Sequence, residues 1–282
     1  MMLQSIADRE NHPNQVHAPS VVAIPAFEDN YIWLIHDGKC AVVVDPGDAD
    51  AVIDVLRNTG LHLSGILVTH HHGDHTGGIG HLAGVFQCEV IGPKGEDIAG
   101  LTRRVGASDT VVLSAPALDL TVLDVPGHTS GHIAYYCAQL RWLFPGDTLF
   151  AAGCGRLFEG THVQMFRSLS QLAALPDDTQ VFCAHEYTLS NLAFALEADP
   201  SNPAVVARMW AEEAKRRMGQ PTVPSTIAVE KLTNPFLRTS DPGIVRTLGM
   251  RRPIDGQDPL AVFAGLRDWK DEFRGRAAPS LR

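Results

Sequence analysis

Three things are scarce in these 282 residues: paired cysteines, long apolar runs and positive charge. The five cysteines (Cys40, Cys88, Cys137, Cys154 and Cys183) are scattered, odd in number and contain no C-x-x-C pair. That argues against a disulfide frame and suits free thiols in a reducing cytoplasm. No stretch approaches the roughly eighteen uninterrupted apolar residues of a membrane span. Acidic residues outnumber basic ones 32 to 23, for a net charge of −9. Such a balance disfavours nucleic acid or an anionic membrane as the main partner, and an anionic substrate would need a local basic patch. The opening "MMLQSIADRENHPNQVHAPS" has acids, amides and prolines where an export signal needs an apolar run. Residues 1–20 therefore read as a flexible tail.

What is present is a mixed pattern. From Val21 to about Cys183, short apolar runs alternate with glycine, proline and aspartate. Residues 31–35, 40–45, 65–70, 88–92, 120–125, 133–137, 141–146 and 180–185 read as strands, and 48–60 and 161–175 as helices. Several strands run straight into polar clusters: "VVVDPG", "LVTHHHGDH", "LDVPGHTSGH", "LFPGD" and "FCAHEY". That layout puts histidines and aspartates on loops held by a rigid sheet. After Tyr187 the pattern turns helical, with starts at Asn202–Pro203, Ser225 and Asp258–Pro259. The reading is an α/β domain over 21–190 followed by a helical part over 191–282.

The stretch "THHHGDHTGG" (69–78) holds four histidines and an aspartate within six positions. It is internal, follows a strand and precedes glycines, which speaks against a tag. In extended backbone, residues i and i+2 share a side, so His70 and His72 can reach one ion while His71 points away. After Gly73 the chain turns, and Asp74 and His75 emerge in a direction suited to a second ion. His128 and His185 stand in similar strand-end contexts. Asp147 adds a carboxylate able to bridge two cations. Imidazole and carboxylate without thiolate fit zinc, with iron or manganese as alternatives. Few protein ligands per ion leave positions for water, as a catalytic site requires.

In order, these residues resemble the metallo-β-lactamase superfamily signature T-H-x-H-x-D-H with later His, Asp and His. The resemblance implies an αββα sandwich. "FEDNYIWLI", "GCGRLFEG", "HEYTLSN", "PTVPST…NPF" and "RDWKDEF" narrow it to the glyoxalase II (hydroxyacylglutathione hydrolase) branch. That branch implies His70, His72 and His128 on one metal, Asp74, His75 and His185 on the other, and Asp147 bridging. His71 matches a non-ligand position, and Asp45 and His132 match positions that support ligands. Glutathione contacts are implied for Arg156, where the family usually has lysine, for Phe158, where some members carry tyrosine, and for Tyr187, Arg267 and Lys270.

The implied activity is hydrolysis of S-D-lactoylglutathione to D-lactate and glutathione, the second step of methylglyoxal detoxification. A metal-bridging hydroxide would attack the thioester and Asp74 would orient the water. The enzyme is expected to be a cytoplasmic monomer acting on a small molecule, without nucleic-acid or membrane partners. The competing reading is a glutathione persulfide dioxygenase of the same superfamily.

Overall fold

The computed structural model describes residues 18–273. The expected N-terminal tail lies almost wholly outside the described residues. By contact the chain divides into two compact units, one ending at Leu123 with the addition of Ile133–Leu140, the other comprising Asp124–His132 and the chain from Arg141 onward.

The first unit is built on a six-stranded mixed sheet in sequential order. Strands β1 (Ser20–Ala26), β2 (Asn30–His36) and β3 (Cys40–Val44) form an antiparallel meander. Then β4 (His62–Leu67), β5 (Glu89–Pro93) and β6 (Arg103–Val105) add in parallel. Parallel neighbours need crossovers, and helices supply the first two, whereas a helix-free loop joins β5 to β6. Helix α1 (Ala49–Thr59) links β3 to β4; Asp48 caps it by accepting from the backbone N–H of Asp50 and Ala51, and Gly60 ends it at φ 71°. The one-turn α2 (Gly73–Thr76) and α3 (Ile79–Phe86) link β4 to β5. Val52, Val55 and Leu56 of α1 and Ile79 and Leu82 of α3 share one buried cluster with Leu34, Val43, Leu63, Ile66 and Val90 of the sheet. Strand β2 is buried along its whole length, so it lacks the alternation seen in β8 (Ala117–Asp124), which pairs with β7 (Thr110–Ser114). Strand β9 (Ile133–Cys137) lies beside β8.

In the second unit, β10 (Trp142–Phe144) runs parallel to β13 (Gln180–Val181), which pairs with β14 (Ser225–Thr226). Between them lie a small hairpin, β11 (Leu149–Phe150) with β12 (Gly153–Cys154), and helix α4 (His162–Ala173). A full capping box starts α4: Thr161 accepts from the Gln164 N–H and Gln164 accepts from the Thr161 N–H. Helices α5 (Thr188–Ala198), α6 (Pro203–Arg217), α7 (Ile227–Thr233), α8 (Pro242–Arg251) and α9 (Pro259–Glu272) follow. The expected start at Ser225 falls in β14 instead; Thr226 is the cap, accepting from the Val229 N–H. Phe194, Phe236, Phe263, Trp269 and Phe273 pack these helices together with ring centroids 5.2–5.9 Å apart.

The β11–β12 hairpin is fastened by these helices through polar groups. Asn191 Nδ2 donates to the Ala151 carbonyl, Asn234 Nδ2 to that of Gly153, and Arg267 to that of Cys154. Glu230, fully buried, accepts from the Ala152 N–H at 2.7 Å and pairs with Arg208 at 2.7 Å. Removing one partner of a buried pair strands the other charge, at a cost of about 3–5 kcal/mol. Arg208→Ala is therefore expected to lower unfolding free energy by about that amount in urea titrations. A loss under about 1 kcal/mol would show that this pair is not what anchors the hairpin.

Candidate metal centre

Most of the polar clusters sit at the carboxyl ends of parallel strands, where open α/β sheets place their sites; the one holding His128 follows β8, which pairs antiparallel with β7. In the first unit, Asp45 follows β3 and the 69–75 segment follows β4, the strand ending at Leu67 rather than His70. Asp45 adopts φ 56°, a left-handed conformation uncommon for a non-glycine residue. Both its oxygens are engaged there: Oδ1 accepts from the Thr69 N–H and Oδ2 from the Thr69 hydroxyl, each at 2.7 Å.

That contact fixes a tautomer. The Thr69 hydroxyl spends its one proton on Asp45, so its 3.0 Å contact with His70 Nδ1 requires the proton to sit on Nδ1. His70 Nε2 is left with a lone pair, 3.1 Å from Nδ1 of His72. His75 is buried, with Nδ1 3.1 Å from Asp45 Oδ2 and Nε2 3.4 Å from Asp74 Oδ2. Asp45, His70 and His75 bring donor atoms within 4.8 Å of one another. Since Asp45 already holds Thr69, it serves better to orient the two imidazoles than to bind metal itself. Close packing keeps these loops together: a Cβ on Gly47 would lie 1.9 Å from the Asp74 carbonyl oxygen.

The second unit brings His128, Asp147 and His185 together. Asp147 Oδ2 lies 3.4 Å from Nε2 of His128 and 3.4 Å from Nε2 of His185. His128 Nδ1 donates to the Arg156 carbonyl at 2.7 Å, which turns the Nε2 lone pair toward Asp147. His132 is fully buried and its Nε2 accepts from the Asp147 N–H, fixing the loop that carries the carboxylate. Glu159 accepts from the N–H and hydroxyl of Ser130, holding the His128–His132 loop. The donor set in both units is nitrogen and carboxylate, with several histidine lone pairs oriented by a partner on the opposite ring nitrogen. This fits divalent metal.

The residues expected to contact glutathione lie in the same second unit. The Phe158 ring, 60% exposed, meets His128 edge-on at 5.3 Å. Tyr187 stacks on His185 at 4.6 Å. Arg156 is exposed, with Nε 3.3 Å from Asp271 Oδ1. Lys270 donates to the Ser190 carbonyl, and burial followed by the neighbouring Arg267 brings its pKa down to about 8. Arg267 differs from these: it is only 4% exposed and is committed to the Cys154 carbonyl and to Asp271. Burial pushes the Cys183 thiol up to about 12 and raises that of Cys154, which leaves neither poised as a nucleophile.

Sequence reasoning did not reach three supporting residues. Asn30 Nδ2 donates to Asp74 Oδ2 at 3.0 Å, Glu96 accepts from His71, and Thr69 ties Asp45 to His70. Asn30 stands in "FEDNYIWLI", but nothing in that motif tells which residue 44 positions away it holds. All five cysteines are free, and among the described residues no helix is long and apolar enough to cross a membrane.

Comparison with known proteins agrees with this architecture. Residues 26–185 match the metallo-beta-lactamase superfamily model, and residues 186–273 match that of the hydroxyacylglutathione hydrolase C-terminus. A hydroxyacylglutathione hydrolase of Nitrosomonas europaea is 50% identical over 91% of this chain and 97% of its own. One of Cupriavidus taiwanensis is 52% identical over 90% of this chain and 99% of its own. Among solved structures, ETHE1 from Myxococcus xanthus superposes with a TM-score of 0.60 at 25% identity, covering 89% of this chain and 98% of that one. The BLEG-1 B3 metallo-beta-lactamase gives the same TM-score at 24% identity, over 78% and 100%. The fold is thus the metallo-β-lactamase-like α/β sandwich with a C-terminal helical domain, and the superfamily implies a pair of metal ions at its histidine and aspartate cluster. The chain belongs to the metallo-β-lactamase superfamily and, within it, to the hydroxyacylglutathione hydrolase family.

Proposed function

We propose that this chain hydrolyses S-D-lactoylglutathione and related S-2-hydroxyacylglutathiones to the 2-hydroxy acid and glutathione. His70, His72 and His128 would hold one cation, Asp74, His75 and His185 the other, with Asp147 shared. This assignment rests on the order of the motif. The observation that supports it most is Asp147 Oδ2, equally distant at 3.4 Å from His128 Nε2 and His185 Nε2. A carboxylate midway between two imidazole lone pairs is placed to neutralise two neighbouring cations. Zinc suits this nitrogen and oxygen donor set best, with iron or manganese as alternatives. When bound, the cations supply an activated water near neutral pH and positive charge for the developing oxyanion.

The protein's own groups do the rest. Asp74, steadied on Oδ2 by Asn30, orients the attacking water. Arg156 and Lys270 provide the basic patch that a net charge of −9 otherwise denies a glutathione anion. Phe158 and Tyr187 flank the peptide, each already resting on a candidate ligand histidine. Arg267 contributes from beneath, fixing Asp271 and the end of the hairpin. Thiolate is a good leaving group, so no strong general acid is needed. We place the catalytic and substrate-binding parts on either side of about residue 190, a division supported by the two family matches. The net negative charge and scattered free cysteines support a cytoplasmic monomer with no nucleic-acid or membrane partner.

Loss of S-D-lactoylglutathione absorbance, set against oxygen uptake with glutathione persulfide, tests the reaction class. Thioester loss without oxygen consumption is expected; the reverse would establish the dioxygenase, which the match to the hydrolase C-terminus disfavours. A pH dependence follows from Lys270. Its ammonium is present below about pH 8 and is lost as pH rises through that value. KM for the thioester should therefore rise above about pH 8 in the wild type, and stay flatter in Lys270→Gln. Parallel profiles for the two proteins would remove Lys270 from the substrate contacts.

A further inference from the structure

We propose that Glu96 is a positioning residue for the metal centre, acting through His71, the one histidine of the triplet that the ligand set leaves out. The inference rests on the metal-centre reading above. The segment 69–72 is held at its two ends, where the Thr69 carbonyl accepts from the Ile133 N–H and the His72 carbonyl from the His75 and Thr76 N–H groups, but the His71 N–H between them has no strand or helix partner. Glu96 supplies its partner. Its side chain is only 2% exposed, and Oε2 accepts from both the His71 N–H at 2.7 Å and His71 Nδ1 at 2.5 Å. A buried carboxylate is costly unless its oxygens are met by donors, and here one oxygen meets two.

Because a carboxylate only accepts, His71 must carry its proton on Nδ1. The imidazole is thereby turned toward Glu96, while His70 Nε2 and His72 Nδ1 face each other at 3.1 Å. Glu96 is itself anchored: Arg104, on β6, donates to its carbonyl oxygen at 2.7 Å. A continuous path therefore runs from the sheet, through Arg104 and Glu96, to the peptide between two candidate ligands. Without Glu96 the His71 N–H would lose its acceptor, and the turn could rotate so that His70 Nε2 and His72 Nδ1 no longer converge.

The test is zinc affinity of the full-length, metal-stripped chain, measured by competition with a chromophoric chelator, for the wild type, Glu96→Ala and Glu96→Gln. Loss of an outer hydrogen-bond partner of metal ligands weakens metal binding by about 10–100-fold. Glu96→Ala is expected to lose that much at one of two sites, with kcat reduced and KM unchanged. Glu96→Gln, whose amide oxygen still accepts both hydrogens, should recover most of the affinity. If Glu96→Ala fails to fold, Glu96→Asp, one methylene short, is expected to show the same loss. Folded Glu96→Ala or Glu96→Asp binding both zinc ions with wild-type affinity would overturn the proposal, even if its melting temperature fell. A wild-type chain that takes up no zinc would instead overturn the metal centre itself, so the two failures are distinguishable.

Discussion

Asp147→Ala is expected to retain at most one of two metal ions and to lose about 10³-fold in kcat. The metals' charge at the reacting carbonyl is worth several kcal/mol, and each 1.36 kcal/mol is about a factor of ten. Asp147 bears on this twice. Its Oδ2 lies at 3.4 Å from both His128 and His185, so its removal withdraws negative charge from the gap between two cations. It would also leave those imidazoles facing each other without a counter-ion. The backbone should hold, because the Asp147 N–H still donates to His132 and the Asp147 carbonyl, against which Gly155 packs too closely to admit a side chain, is unchanged. Metal analysis and single-turnover rates check the result. Both metals and full turnover in Asp147→Ala would show that the carboxylate does not bridge.

The triplet histidines offer the second large effect, as a contrast. His70→Ala and His72→Ala should each lower metal content and reduce kcat/KM by about 10³-fold, since each removes a ligand outright. His71→Ala should cost only about 10–100-fold, the range for an outer hydrogen-bond partner. It retains the backbone N–H that Glu96 accepts, while losing the Nδ1 contact and the ring contact with His72. Three adjacent residues of one type should thus give two classes of effect. An equal loss at all three would mean that His71 binds metal or that the turn collapses as a unit.

Much of the frame was legible because strand-end punctuation is a local signal. The Asp-Pro-Gly after β3 and the histidine cluster after β4 announce turns that any sheet must make. Helix α9 is announced by Asp258–Pro259, and the same pair at Asp241–Pro242 starts α8, a shorter helix that buries only Ile244 and Leu248. Strand β1, half-buried for most of its length, likewise lacks a strong alternation. What the sequence withheld are contacts between residues far apart along the chain. The i, i+3 spacing of Arg267 and Lys270 puts them on one helical face, yet says nothing of depth. Arg267 turns out 4% exposed and tied to Cys154, whereas Lys270 is only half-buried. Glu230 carries no local signal, and it is a buried clamp on a hairpin 78 positions away. Asn30 and Glu96 escaped for the same reason. Ligands follow a motif, but the groups that aim them are chosen by the fold.

The dinuclear hydrolase reading is tested most directly by stripping the protein of metal and titrating zinc back while following S-D-lactoylglutathione hydrolysis. The stripped protein should be inactive, and activity should rise to a plateau at two equivalents of zinc per chain. Full hydrolysis by the stripped protein, or none by the zinc-loaded protein, would contradict the account.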